Sequence, residues 1–157
     1  MRLAITTSVL AASAAALIGC GPEVDLGAGL RAGRDYVQSA DRICEQVAQR
    51  FDEIQSEEPR TFAQAEEIVG ALIDVARDGE AQMTALEPPR DRAEAFRDYL
   101  DSRADVIGQL ENAAAAAAAE DGAGYARARD AAVTASGQRA RYARRAGLPG
   151  CAQAEAG

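Results

Sequence analysis

Two arginines stand where the helical seams call for apolar side chains. Phe96, Leu100, Ile107 and Leu110 recur at steps of three and four, and Arg103 takes one of those places. A second stripe, Tyr125, Ala128, Ala132, Ala135, Tyr142 and Ala146, is interrupted in the same way by Arg139. A guanidinium presents a rigid fork of donors that matches a carboxylate or a phosphate, and Tyr99 and Tyr142 offer hydroxyls and ring faces nearby. Counted from the break near Gly122, Arg103 lies 19 residues back and Arg139 lies 17 onward. At 1.5 Å of rise per residue the two then fall within about 3 Å of one level in an antiparallel pair. Arg103, Arg139, Tyr99 and Tyr142 are therefore a candidate site for a small anion. The competing reading is that both arginines reach water or pair internally, Asp41 being a partner at similar height, and the sequence alone favours this one.

Other chemistry has little to stand on. Asp98, Asp101 and Asp105 recur on the third helical segment, and paired acids can perform hydrolysis, but these fall opposite the seam, where a solvated face is expected. The chain contains no His, which removes the Ser-His-Asp triad, the Cys-His pair and histidine metal centres, and no Gly-rich phosphate loop follows a strand. We expect no enzyme activity, no cofactor and no metal. With 17 basic residues, all Arg, against 25 acidic ones, the formal charge of −8 opposes attraction to nucleic acid or to bare anionic lipid.

The elements that must position the arginines are helices. A chain of 157 residues suggests one domain, and an aromatic content of 4% with abundant Ala implies aliphatic, closely packed helices. Apolar periodicity predicts helices over about 35–56, 61–86, 93–117 and 125–146. In the first of these, Val37, Ala40, Cys44, Val47, Phe51 and Ile54 form the seam. Thr61 and Gln64 have the spacing of a capping box, and Pro59, Pro88-Pro89, Gly122 and Gly147 mark the breaks. Short connections favour an all-α, up-down-up-down four-helix bundle. Residues 61–87 carry six acids and one Arg, and residues 124–146 six Arg and one Asp, so the fourth helix should lie against acidic neighbours.

The amino terminus has a different character. Arg2 precedes an apolar stretch from Leu3 to Ile18, which reads as a secretory leader too short for a permanent membrane span. Leu17-Ile18-Gly19-Cys20 resembles the lipobox of bacterial lipoprotein precursors. That resemblance implies a diacylglyceryl group on the Cys20 thiol, cleavage just before it and acylation of the new terminus, for instance by palmitate. The alternative is an ordinary leader cut after Ala12-Ser13-Ala14, which leaves Cys20 a free thiol. With Cys20 lipidated, Cys44 and Cys151 remain as an even pair in an oxidising compartment, and a Cys44–Cys151 disulfide is expected. Such an arrangement also resembles, in outline, small helical extracytoplasmic lipoproteins of GC-rich bacteria with a Cys in the first helix and an ending like Gly147-Leu148-Pro149-Gly150-Cys151. That likeness implies no activity.

The resulting expectation is a signal peptide over 1–19, a flexible spacer over 20–33, a disulfide-closed bundle over 34–151 and a disordered tail over 152–157. The protein would be a binding or interaction module on the extracytoplasmic side of a cell membrane, held by its lipid and taking a small anion or an envelope protein as partner. The alternative is a structural or assembly role in the envelope through one helix face.

Overall fold

The computed structural model describes residues 26–154, with side chains from Gly33 onward. The expected leader, Cys20 and residues 155–157 lie outside that range. Four long helices, α1 (Leu26–Ile54), α2 (Phe62–Thr84), α3 (Ala93–Ala118) and α4 (Gly122–Arg145), form an up-down-up-down bundle. A 3₁₀ turn, Arg90–Arg92, leads into α3, and a fifth helix, α5 (Pro149–Ala154), follows α4. None of these helices is long and apolar enough to cross a membrane.

The helix ends follow from local hydrogen-bond chemistry. Thr61 Oγ1 accepts from the Gln64 amide at 3.1 Å, while Gln64 Oε1 accepts from the Arg60 amide at 2.9 Å, one residue earlier than in a standard capping box. Asp121 caps α4 by accepting from the Gly124 amide at 2.9 Å. At the far end of α4, Gly147 adopts φ +74°, a left-handed conformation that glycine enters without penalty. Its amide donates to Arg144 O and that of Leu148 to Ala143 O, which satisfies the last carbonyls in the Schellman pattern. Leu148 is fully buried as the apolar half of that motif.

Two expected boundaries are corrected. The stretch expected as spacer becomes helical at Leu26. Its glycines cost about 1 kcal/mol each, but they extend a helix already nucleated by the packed residues that follow, and elongation is cheaper than initiation. The expected tail from 152 onward is also shorter: α5 runs to Ala154, with Cys151 and Ala152 buried. Pro149 suits the first helical position, and Asp41 of α1 accepts a 3.0 Å hydrogen bond from the Gly150 amide, a cap supplied from 109 positions away. Cys44 and Cys151 are bridged, their Cα atoms 5.0 Å apart, closing a separation of 107 residues. In the chain-entropy account a loop of that length contributes about 4–5 kcal/mol.

Side-chain size sets the spacing of the bundle. Buried alanines, among them Ala113 and Ala128, bring α3 and α4 close, whereas Tyr36 and Phe96 fill the space between α1 and α3 edge to face, 5.3 Å between centroids. No Cα atom of α1 comes within 8 Å of one in α3 or α4 among the described residues. The core accordingly falls into two parts. One, around Met83, Tyr99, Leu148 and the disulfide, joins α5 to the first half of α1. The other, around Leu72, Val106, Ile107 and Leu110, joins α2, α3 and α4. The basic α4 does not lie beside the strongly acidic α2; among the described residues a cross-helix ion pair joins its Arg145 to Asp98 of α3, 3.3 Å and at the surface. Exposed pairs of this kind are worth a few tenths of a kcal/mol to about 1, too little to outweigh the close fit of alanine faces.

Candidate functional site

α1 and α4 are the first and last long helices of the bundle, and they diverge. At one end α5 packs against both and the disulfide ties it to α1. Away from that tie a groove of about 800 Å³ opens between them. Val69 and Leu72 of α2 and Val106 and Leu110 of α3, all buried in the second core cluster, make its apolar floor. Phe51 of α1 and Tyr125 of α4 stand on opposite walls. The volume is within the range of small-molecule sites.

Both seam arginines line this groove near its closed end, beside Cys44 and Ala154. Arg103 is 3% exposed and Arg139 8%, so neither reaches water as surface arginines do. Asp41 is not their partner: its carboxylate is engaged by the Gly150 amide of α5, a correction to the internal pairing that similar height suggested. Arg103 Nη1 instead donates to Tyr99 Oη at 3.1 Å. Tyr99 Oη in turn lies 3.4 Å from Cys44 Sγ, and because a bridged sulfur carries no hydrogen the phenol is the donor there. Arg103 is thus positioned through Tyr99 by the covalent tie itself.

A guanidinium buried in this way costs several kcal/mol unless a charge answers it. Among the described residues no carboxylate lies within 4 Å of Arg103, and its Nε makes no hydrogen bond. The phenol oxygen of Tyr99 supplies a dipole and not a counter-charge. What the arrangement can do chemically is hold an anion: it concentrates positive charge in a low-dielectric setting, where a charge-assisted bond is stronger than in water.

Gly79 of α2 makes the burial of Arg103 possible. A Cβ on Gly79 would meet Arg103 Nη2 at 2.9 Å and Val47 Cγ2 at 2.6 Å. A glycine inside an otherwise good helix is the signal in the sequence that something passes close by. Sequence reasoning also missed the acidic mouth, where Asp52, Glu57 and Glu58 line the groove on the α1 side. Arg129 of α4 lines the groove and stacks over Tyr125, 5.8 Å from its ring centroid.

Of the four candidate residues, the structure brings three together. Tyr142 is half-buried outside the groove, with the Arg145 guanidinium 5.2 Å above its ring. Of the recurring acids on α3, Asp98 pairs with Arg145, while Asp101 and Asp105 are exposed, and none lines the groove. Among the described residues no three His, Cys, Asp or Glu side chains converge as a metal site would require. No family model, no curated protein and no solved structure matches this chain.

Proposed function

We propose that this protein is an extracytoplasmic binding module, held at a membrane by lipid on Cys20, that takes a small organic anion in the groove between α1 and α4. The observation that carries the reading is the pair of buried arginines at the closed end of a groove with an apolar floor. Internal pairing alone does not account for Arg103, whose charge has no carboxylate beside it among the described residues. The membrane part rests on Leu17-Ile18-Gly19-Cys20 and on the bridging of the other two cysteines, which leaves Cys20 alone to be modified. Binding without turnover fits a site that holds charge but has no nucleophile with an adjacent base.

Two measurements test this. Intact mass of the chain expressed with its leader in a bacterium should show cleavage before Cys20 and added acyl chains; a mature product with an unmodified Cys20 thiol refutes the anchor. Titration calorimetry with organic anions should show binding that an Arg103→Ala, Arg139→Ala double variant loses. Equal or absent binding in both proteins removes the anion site.

The second reading, an assembly role in the envelope through a helix face, has one observation in its favour. Val133 on the α4 wall of the groove is 75% exposed, and an apolar side chain in that position suits a protein interface.

A further inference from the structure

The shape of the groove restricts which anion it takes. The lining runs from Cys44 of α1 to Gln55 just past its end and from Arg103 to Ala113 along α3, about 15 Å in each case. A volume of about 800 Å³ spread over that length makes an elongated groove, long for a bare inorganic ion.

Its charge is arranged along the same axis. Arg103 and Arg139 stand at the closed end, Leu72, Val106 and Leu110 carry the middle, and Asp52, Glu57 and Glu58 rim the α1 side of the mouth, with Arg129 on the α4 side over Tyr125. An anionic head is attracted inward and repelled at that rim, while an apolar chain finds no charged side chain on the floor. The buried Arg103 is a second, independent pointer, because its Nε has no acceptor and its charge no carboxylate among the described residues. A carboxylate is the smallest head that matches the guanidinium fork.

We propose, resting on the anion-site reading above, that the ligand is a single-chain fatty acid, bound with its carboxylate against Arg103 and Arg139 and its chain along the floor toward the mouth. Each buried methylene adds affinity, so chain length and head charge must both matter.

The test uses the full chain in a non-ionic detergent with carboxyl-¹³C dodecanoate, carboxyl-¹³C acetate and inorganic phosphate, each followed by NMR. The expected result is a distinct bound dodecanoate resonance saturating at one per chain, with dodecanoate binding more than about tenfold tighter than acetate or phosphate. Dodecanol should not displace it. An Arg103→Met, Arg139→Met variant should lose the resonance, and Ala132→Trp, which narrows the α4 wall without touching either arginine, should weaken dodecanoate while leaving acetate unchanged. Acetate or phosphate binding as tightly as dodecanoate overturns the fatty-acid assignment and leaves the anion site standing. Binding of dodecanoate that survives loss of both arginines, or its displacement by dodecanol, overturns the assignment as well. Binding of none of the three anions overturns both this inference and the reading it rests on.

Discussion

Gly79 on α2 lies beneath the guanidinium of Arg103 on α3, so close that a methyl group there would stand 2.9 Å from Nη2. The same methyl would also meet Val47 of α1, which places this one glycine at the junction of three helices. Gly79→Ala gains about 1 kcal/mol of helix propensity but forces two side chains aside, a strain of about 1–3 kcal/mol. A net loss of stability in urea denaturation is expected, together with weaker anion binding. Gly70→Ala and Gly137→Ala, where nothing lies within 4 Å of the new Cβ, should instead stabilise by about 0.5–1 kcal/mol.

Arg103 separates stability from function. If its buried charge is kept for a ligand, then Arg103→Met, which fills similar space without the charge, should raise the urea midpoint while abolishing anion binding. The expected gain is about 1–3 kcal/mol. A marked loss of stability would show the guanidinium to be structural.

Reduction of the Cys44–Cys151 bridge should cost about 2–5 kcal/mol and act first on α5, whose attachment to α1 is otherwise the Asp41 cap and a few buried side chains. Hydrogen exchange should show α5 losing protection before α2 and α3. Asp41→Ala should have the same pattern at about 1 kcal/mol, the ordinary worth of a capping hydrogen bond.

Tyr36 is 4% exposed, its ring packs on Phe96, and its hydroxyl has no hydrogen-bond partner among the described residues. Burial raises its pKa well above the ordinary value of about 10, with the nearby Arg92 charge opposing in part. The unfolded chain therefore releases this proton first. The stabilisation is complete below pH of about 10 and declines as the pH rises beyond it. Tyr36→Phe should be neutral or stabilising by about 1 kcal/mol near neutral pH, since it removes an unsatisfied group, and should flatten the alkaline loss. Urea midpoints for both proteins at about pH 8 and about pH 10.5 check it.

Much of the fold was legible because helical periodicity is a local property. Phe96, Ile107, Leu110 and Ala128 are buried where the spacing put them, and Thr61 caps α2 as its spacing with Gln64 suggests. Ser102 and Val106 were missed because α3 packs on α2 with one face and α4 with another, so its buried stripe is wider than a single seam. The site was half legible for the same reason. Arg103 and Arg139 were visible as breaks in a pattern at matching heights, whereas Tyr142, which meets the spacing rule equally well, faces away from the groove.

By itself the sequence determined the four long helices, their order, the pairing of Cys44 with Cys151 once Cys20 is set aside, and the presence of two arginines where apolar residues belong. These follow from period, turn chemistry and arithmetic, none of which needs to know which helix touches which. The tertiary structure decided that α1 stands away from α4, that Asp41 caps α5 and does not pair with the arginines, and that Gly79 makes room for one of them. Each of those depends on the sizes of side chains meeting across helices far apart in sequence, aromatic rings holding α1 off and alanines drawing α4 in, and a one-dimensional pattern does not record which sizes meet.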